Sequence, residues 1–495
     1  MFLNDFFERL LKMGHDMNMT EREFLEHEIQ YWIQSPERQW QIDGYRYYRG
    51  QQDIESKQRT AIGAGGVQTV VDNVPNNKLI DNRYAFLVDQ KANYLLSKPI
   101  DVVCDNESAK QNIDDIFNHR FCQTMKKIGK DALNGGKTYM FLYIGDDKKL
   151  HFKRFRSFEV LPFWADDDHT IMDAALRLYT QEVYEGNTKE FIKRVEWYTP
   201  EGVMRYTFKG GNLTPESEEF TPYFVINDAE GGPDNPQGYN WGKVPIVCFK
   251  ANGEEIPLIK RAKSLQDALN QLYSMSMDNM QEDARNTILV LRNYDGQDLG
   301  QFRRNLSQYG AVKVREDGGV ETLQIAVNID NYSEMIKIIK RAIIENGRGL
   351  DTKDDRLTSG SPNMMNIRSM YSDINLDADD MEMEFQSSLQ DLMWFINKYN
   401  GLVSNPQSDV TFVFNRDTMM NETDTITNCR NSMGMISEET ILANHPWVKN
   451  VQEEQKTLDK EKQKQMAAFD GYGGNDGDSQ WAKNKIGNTG KDEPS

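Results

Sequence analysis

Residues 133–138, of sequence LNGGKT, have the spacing of glycine, lysine and hydroxyl that ends a phosphate-binding loop. Such a loop would begin with a glycine at position 131, where this chain has Asp131. A helix precedes the segment and the strand YMFLYI follows it, whereas phosphate binding needs the backbone amides that begin a helix. We therefore do not expect this segment to bind or hydrolyse a nucleotide.

Two acidic segments could supply oxygen ligands to a metal ion. In residues 165–169, ADDDH, consecutive side chains point to opposite faces of the chain, which favours a solvated turn. Residues 375–384, NLDADDMEME, resemble a calcium loop but lack its central glycine and lie in an unbroken helical pattern, which favours an acidic helix face. The six histidines lack ligand spacing, and no Ser–His–Asp or Cys–His set has supporting local context. The sequence thus predicts no catalytic residue, no metal and no cofactor.

The length and charge of the chain limit the classes of protein to which it can belong. With 495 residues the chain is too long for one core and should form about two to four domains. Its formal charge of −19 and pI near 4.9 argue against a sequence-specific DNA-binding protein, because such proteins are usually basic. The same charge is compatible with a conduit through which DNA slides without sticking.

The sequence predicts neither a membrane span nor an exported protein. No run approaches the roughly 18 apolar residues of a span, and Asp5 and Glu8 interrupt the apolar N-terminal stretch, unlike a signal peptide. The four cysteines are scattered, which favours reduced thiols over disulfides. We expect the chain to stay in the cytoplasm where it is made.

The first half of the chain predicts one α+β domain. Thr20 and Glu23 form a capping-box pattern that begins a helix, and Pro36 can begin a second one. A further helix is stopped by Pro99. The apolar period changes to two over residues 139–208, which indicates short strands, and residues 209–243 predict a loop.

The second half alternates helices with a small insert. Apolar spacing predicts long helices over residues 256–283 and 364–399, and a shorter one over residues 333–346 with Gly347 at its C-cap. The insert lies at residues 287–326, between the helices over residues 256–283 and 333–346, and consists of strand, helix, strand, a Gly318–Gly319 turn and strand. Helices between residues 437 and 469 and a disordered tail complete the chain.

The apolar stripes of the long helices are too extensive for this insert to bury. Neighbouring copies of the chain in a ring or bundle could cover them. A long two-helix arm within one monomer would cover them equally well, and the sequence leaves both arrangements open.

Four segments resemble the portal family of tailed bacteriophages, of the type found in long-tailed phages of Gram-positive bacteria. RYYRGQQDI at residues 46–54 and the helical stretch at residues 76–100 resemble that family's N-terminal signature. Residues 242–274, beginning GKVPIVCF, resemble the entry into its first stem helix. TSGSPNMMNIRSMYSDINLDADDMEMEF at residues 358–385 resembles its tunnel loop and following long helix. The order and spacing of these segments are specific to the family.

The resemblance implies an α+β, portal-like fold that assembles as a ring. Each chain would contain a helix-rich wing with a strand meander, a two-helix stem, a small α/β clip, a long kinked helix and a helical crown. In chain order the implied boundaries are residues 1–255 for the wing, 256–286 for the first stem helix, 287–327 for the clip, 328–348 for the second stem helix, 349–363 for the tunnel loop, 364–429 for the long helix and wing return, 430–469 for the crown and 470–495 for a disordered tail.

The resemblance also implies the function. Twelve subunits would form the portal ring at one capsid vertex, the channel through which double-stranded DNA is packaged and ejected without sequence specificity. The clip would dock the terminase motor and later the head-completion or adaptor proteins, and the wing would contact major capsid and scaffolding proteins. The protein would then be a component of the virion and not an enzyme.

Cations near the second stem helix fit a DNA channel. They lie at spacings of three, four and seven and, facing a channel, would form rings of positive charge beside DNA phosphates: Lys337, Lys340, Arg341 and Arg348. Ion pairing with carboxylates of a neighbouring stem helix, Asp278, Glu282 or Asp283, is an equally good alternative.

The tunnel loop and the clip supply the remaining candidate residues. In the loop, the candidate DNA contacts are Lys353, Arg356 and Asn363, while Gly347, Gly349 and Gly360 would allow flexing and Asp354 and Asp355 argue against tight binding. In the clip, the candidate partner contacts are Arg303, Arg304 and Tyr309, although a solvated helix face explains the arginines equally well.

Two other classes of protein are alternatives to the portal. One is a DNA-processing enzyme that uses a metal at ADDDH or a nucleotide at GGKT. The other is an oligomeric virion scaffold protein whose long helices associate without a DNA channel. The insert between the stem helices and the polar loop after them favour the portal.

Overall fold

The computed structural model describes residues 19–62, 67–71, 74–104, 106–226, 237–283, 287–294, 314–324, 329–351, 364–416, 422–448 and 451–470. The chain divides into two compact units, residues 1–360 with 368–417 and residues 361–367 with 418–495. Helices and strands are mixed, as expected for an α+β fold. Among the described residues, no helix has the length and apolar character that crossing a membrane requires.

The elements follow one another in an order that separates sheets from long helices. The helices are α1 Glu21–Gln34, α2 Pro36–Tyr48, α3 Arg83–Leu96, α4 Glu107–Ile116, α5 His119–Gly135, α6 Ile259–Asp283, α7 Ile329–Asn346, α8 Met364–Leu402, α9 Glu422–Asn431, α10 Glu438–Ala443 and α11 Val451–Asp470. The strands are β1 Thr60–Ile62, β2 Gln68–Val70, β3 Asp101–Cys104, β4 Lys137–Ile144, β5 Leu150–Phe155, β6 Val160–Trp164, β7 Met172–Glu185, β8 Thr188–Thr199, β9 Gly202–Lys209, β10 Asn212–Pro215, β11 Phe224–Ile226, β12 Gln237–Tyr239, β13 Ile246–Lys250, β14 Thr287–Tyr294, β15 Val314–Gln324 and β16 Val410–Val413.

The predicted helix starts in the first unit are confirmed. The backbone amide of Glu23 donates to the Thr20 hydroxyl at 3.3 Å, and the amide of Thr20 donates to the Glu23 carboxylate at 2.8 Å, which closes the capping box of α1. Pro36 occupies the first turn of α2, whose N-cap is Ser35. Helix α3 ends before Pro99, as its sequence predicts.

The predicted strands form an antiparallel meander in the order β10-β9-β8-β7-β6. Helix α1 lies across it, because Leu25, Ile29 and Trp32 are buried in the same core cluster as Trp197. The loop predicted over residues 209–243 is wrong in part, since β10, β11 and β12 lie within it. These strands are only three or four residues long, too short for a period of two to be recognised.

A second sheet connects the meander to the helical core. Strands β4 and β5 pair with β13, and the order β13-β4-β5 places residues 246–250 beside residues 137–141. Strand β13 is therefore an edge of this sheet. Strand β16 pairs with β3, so Val410 lies opposite Cys104 and the end of α8 returns to the first unit's N-terminal half.

Helices α6 and α7 run antiparallel. Tyr273 of α6 lies under the Lys340 ammonium of α7, 5.2 Å from ring centre to nitrogen, and Asn279 donates to the Tyr332 hydroxyl at 3.0 Å. Much of the apolar stripe of α6 is buried inside the chain, where Ala262 and Leu269 join a core cluster that α3 and α8 also enter. Of the two arrangements that the sequence leaves open, burial within one chain is therefore the one observed for these residues.

The insert between α6 and α7 contains an antiparallel pair of strands. Strand β15 runs unbroken through Gly318 and Gly319, so the predicted turn at these glycines is wrong. The register instead shifts between Arg292 and Tyr294 of the facing strand β14. Glycine tolerates the backbone of a bulge as readily as that of a turn, so a pair of glycines does not distinguish the two.

Among its described residues, the second unit contains the helices α9, α10 and α11, and the last two match the predicted range of residues 437–469 to within one residue. Cys429 of α9 is buried beside the end of α10, and Lys462 of α11 lies 3.3 Å from the carboxylate of Glu438. Helix α9 was not predicted.

Candidate functional site

The LNGGKT segment is a packing junction. A side chain at Gly136, whose φ is +81°, would overlap the backbone carbonyl of Glu255, and one at Gly135 would overlap Ser157. Lys137 is buried, and its ammonium lies 2.5 Å from the Glu255 carboxylate and 3.0 Å from that of Glu37. The glycines thus allow close approach of backbone, and the lysine is already paired.

The ADDDH segment is a turn, as predicted. The Asp166 carboxylate accepts the backbone amides of Thr170 and Ile171 at 2.9 and 2.7 Å, while Asp167 and Asp168 are exposed. His169 instead contacts Glu255, with 2.7 Å between Nδ1 and a carboxylate oxygen. In the part of the chain that the structure describes, no group of three or more acidic, histidine or cysteine side chains could hold a metal ion.

The second acidic segment is part of the unbroken helix α8, as predicted. Two of its carboxylates, Asp379 and Glu382, lie within 2.6 Å of the Arg416 guanidinium. A third, Asp377, points into the helical core.

The four predicted channel cations do not share one face. Lys337 and Arg341 are exposed, and each pairs with a glutamate on its own helix at 2.8 Å, Glu334 and Glu345 respectively. Lys340 points back towards α3, where its ammonium lies 3.0 Å from the Asp81 carboxylate. The prediction of a single cationic face is therefore wrong for Lys340.

The alternative pairing of these cations with Asp278 is also wrong within the chain. Asp278 is fully buried, and its carboxylate lies 2.6 Å from Lys57 and 3.2 Å from Arg59 and accepts the backbone amide of Asn77 at 2.7 Å. The side chains of Glu282 and Asp283 lie outside the described residues.

Arg348 belongs to a junction at the end of α7. The amide of Arg348 donates to the Glu345 carbonyl at 3.1 Å and that of Gly349 to the Ile344 carbonyl at 2.8 Å, the pattern of a Schellman C-cap. Gly347 is the C-cap, as predicted, but Arg348 takes the left-handed conformation with φ of +48°. A non-glycine residue there carries strain of about 1 kcal/mol or more.

The glycines on either side of Arg348 do not provide flexibility, contrary to the prediction. A side chain at Gly347 would lie 2.5 Å from a methyl carbon of Leu87, and one at Gly349 would overlap its other methyl group. The two glycines therefore allow the chain to pass closely over α3. Gly360 lies outside the described residues.

Helix α3 also holds the next residue by its backbone. The side-chain amide of Gln90 donates to the carbonyl of Leu350 at 2.8 Å and accepts the amide of Leu350 at 2.8 Å. The ammonium of Lys91 donates to the carbonyl of Arg348 at 3.0 Å. The chain is thus fixed to α3 from Gly347 to Leu350, across the start of the expected tunnel loop.

Asp377 of α8 completes this junction. Its carboxylate lies 2.7 Å from Lys91 of α3, 3.0 Å from Arg261 of α6 and 2.8 Å from Arg348. Burial alone would raise the pKa of Asp377, but Lys91 and the two arginines outweigh it and hold this pKa below its usual value. Burial lowers the pKa of Lys91 despite the carboxylate beside it. We call Leu87, Gln90, Lys91, Arg261, Gly347, Arg348, Gly349, Leu350 and Asp377 the loop anchor.

A buried polar ladder ties α6 to the segment before α3. Its side chains recur every fourth residue on one face and are all fully buried: Gln266, Asn270, Ser274 and Asp278. They accept the backbone amides of Tyr84, Asp81, Leu79 and Asn77 in turn, at 2.7–3.1 Å. Sequence spacing places these four side chains on one face of α6 but does not show which backbone groups they bond.

The remaining candidates, Lys353, Arg356 and Asn363 of the loop and Arg303, Arg304 and Tyr309 of the insert, lie outside the described residues.

Comparison with known proteins gives matches over most of the chain. The family model described as phage portal protein, SPP1 Gp6-like, matches residues 35–468. The portal protein of Bacillus phage SPP1 is 26% identical over 435 residues, which cover 85% of this chain and 83% of that protein. The portal protein of Clostridium phage phiCD119 is 24% identical over 408 residues, covering 79% of this chain and 86% of that protein. A chain from the neck of a native GTA particle, computed with C12 symmetry, aligns with 72% of this chain and 86% of its own length at 12% identity and a TM-score of 0.33.

Proposed function

The chain belongs to the SPP1 Gp6-like family of phage portal proteins, and from that membership we propose that it forms a dodecameric ring at one capsid vertex. The ring is the channel through which double-stranded DNA is packaged and later ejected. A portal protein is a component of the virion, and its part in both steps is structural.

The observation that carries the channel assignment is the loop anchor. It fixes the end of α7 and the start of the expected tunnel loop to three other helices, through Asp377 and the backbone of Leu350. A loop that meets moving DNA must be held at its base, because otherwise the force on it would unravel the helix before it.

The charged side chains of α7 suit a surface along which DNA slides. Lys337 and Arg341 are exposed, with 68% and 71% of their side-chain surface accessible, yet each has a glutamate beside it. Such pairs offer phosphate a weak and screened attraction, so DNA can be guided without being retained. The formal charge of −19 acts in the same direction over longer distances.

Exposed apolar side chains on the stem helices support assembly. Met277 and Met280 are spaced by three on α6, and Met335 and Ile338 are spaced by three on α7. Between 39% and 59% of their surface is accessible in the single chain. Contact with the neighbouring copies of a closed ring would remove this apolar surface from water.

The partners follow from the same membership. We infer that the insert between α6 and α7 docks the terminase motor and, after packaging, the head-completion proteins. The α+β part of the first unit would contact major capsid and scaffolding proteins.

Native mass spectrometry of the full-length protein, with negative-stain images, tests the proposal. We expect closed rings of about twelve copies with a central hole, formed by the chain alone or on addition of its scaffolding protein. Open filaments or a solid helical bundle under both conditions would contradict it.

A further inference from the structure

A cleft of about 350 Å³ lies between helices α1 and α2 and the meander. Its charged lining consists of Arg38 of α2, Arg156 and Glu159 of the segment before β6, Arg177 of β7 and Lys193 of β8. Four cations thus face one carboxylate, in a chain whose formal charge is −19. Nothing in the portal function accounts for this local reversal of charge.

The three guanidinium groups are held in place by aromatic rings. Arg38 lies 4.7 Å from the ring centre of Trp32, and its Nε donates to the Phe158 carbonyl at 3.1 Å. Arg156 lies 4.6 Å from the ring centre of Tyr45. Arg177 lies between aromatic rings too, at 3.9 Å from Phe155 and 4.2 Å from Tyr179. Stacking fixes their planes, so their donors are oriented before any ligand arrives.

The cations exceed the carboxylates available to them. Arg177 lies 3.2 Å from the Glu159 carboxylate and 3.0 Å from that of Glu196. Among the carboxylates of the described residues, Arg156 lies within ion-pair distance of only the same Glu159, at 3.8 Å.

The other two cations of the cleft, Arg38 and Lys193, account for its excess of positive charge. Within the described ranges, Arg38 and Lys193 have no carboxylate within ion-pair distance. The cleft thus has four cations and, when both Glu159 and Glu196 are counted, two carboxylates, which leaves a net charge of two positive. Burial lowers the pKa of Arg38, as expected for a half-buried cation that lacks a counter-ion.

We propose that this cleft binds a doubly charged phosphate group. A phosphate group near neutral pH carries close to two negative charges, which equals the surplus, whereas a single carboxylate would cancel only half of it. Its oxygens match the planar forks of Arg38 and Arg156, and Lys193, opposite Thr180 on the sheet, supplies a point charge at the rim.

The size of the cleft limits the ligand. A volume of about 350 Å³ lies at the lower end of small-molecule sites. It accommodates inorganic phosphate or a small phosphomonoester such as a nucleoside monophosphate. This site is on the meander and does not depend on the portal function.

Isothermal titration calorimetry of the full-length chain with inorganic phosphate, in chloride buffer, tests the proposal. We expect saturable binding of one phosphate per chain, weakened at least about tenfold in Arg38→Gln, Arg156→Gln and Lys193→Gln. Arg22→Gln is the matched control, because Arg22 is an exposed arginine of α1, about 16 Å along the helix from Ile33 of the cleft wall.

A second titration, with adenosine monophosphate in place of inorganic phosphate, tests which part of the ligand the cleft recognises. Equal affinity for inorganic phosphate and adenosine monophosphate supports recognition of the phosphate group alone, and tighter binding of the nucleotide supports a site that also holds its organic part. Absence of binding to the wild-type protein, or equal weakening by Arg22→Gln, overturns the proposal. If either arginine variant fails to unfold cooperatively, phosphate binding by the variant at the exposed Lys193, Lys193→Gln, decides between the two outcomes.

Discussion

The side chain of Gln90 pairs with the backbone of Leu350 through two hydrogen bonds of 2.8 Å, as one strand residue pairs with another. Leu350 is the second residue of the expected tunnel loop, whose described part ends at Asp351. A helix of the first unit therefore sets the position of the loop's first end. This relationship links residues 260 positions apart and does not depend on the loop's own sequence.

Replacing Gln90 should loosen that end of the loop. In Gln90→Leu both bonds are lost and the backbone amide and carbonyl of the buried Leu350 are left without this partner, which costs about 1–3 kcal/mol of unfolding free energy. Denaturant titration followed by tryptophan fluorescence measures the change. Gln111→Leu, at an exposed glutamine of α4, is the control and should be near neutral. Equal stability of Gln90→Leu and wild type would show that the two bonds do not hold in solution.

Removing the negative charge of Asp377 should destabilise the chain more strongly. Asp377→Asn leaves Lys91, Arg261 and Arg348 close together without a counter-ion, and loss of a buried partner typically costs about 3–5 kcal/mol. Asp373→Asn, at an exposed position of the same helix, is the control. A change as small as that of the control would mean that solvent screens the junction.

The same carboxylate predicts a dependence on pH. Because the folded state holds the pKa of Asp377 below its usual value, its stabilising contribution is complete above the unfolded pKa of about 3.9. The contribution is lost as pH falls through the lower, folded-state pKa. Unfolding free energies measured from pH 6 downward should therefore fall more steeply below about pH 4 for wild type than for Asp377→Asn. If the unfolding free energies of wild type and Asp377→Asn fell equally with pH, the lowered pKa of Asp377 would be contradicted.

Because the chain passes closely over α3 at Gly349, we expect this position not to accommodate a side chain. Its φ is not in the left-handed region, so Gly349→Ala tests space alone, and the added methyl group would overlap Leu87. We expect a loss of about 1–3 kcal/mol, partly restored in the double variant with Leu87→Ala. Gly253→Ala is the control, since its nearest neighbour would be 3.5 Å away. Absence of coupling between Gly349→Ala and Leu87→Ala would remove the packing explanation.

Sequence patterns predicted the elements better than the contacts between them. The capping box at Thr20, the stop at Pro99 and the unbroken helix α8 follow from local chemistry, and each is observed. Gly347 and Gly349 show the limit: glycine permits both flexing and close approach, and only the position of Leu87 decides between them.

The predicted channel cations of α7 show the same limit of sequence patterns. Spacing placed Lys340 on a helix face but could not reveal that Asp81, more than 250 residues earlier, pairs with it. The polar ladder on α6 was missed for a related reason. A run of Gln, Asn, Ser and Asp at spacing of four looks like a solvated face unless the backbone that it bonds is known.

The exposed methionines of α6 predict where neighbouring copies meet. Met280→Asp places a charge on surface that the proposed ring buries, so rings should fail to form while the unfolding free energy of the single chain changes by less than about 0.5 kcal/mol. Native mass spectrometry measures the first effect and denaturant titration the second. Met383→Asp is the matched control, because Met383 is 66% exposed but lies on α8, outside the proposed contact. Rings formed by Met280→Asp and lost in Met383→Asp would move the subunit contact from the α6–α7 pair to α8.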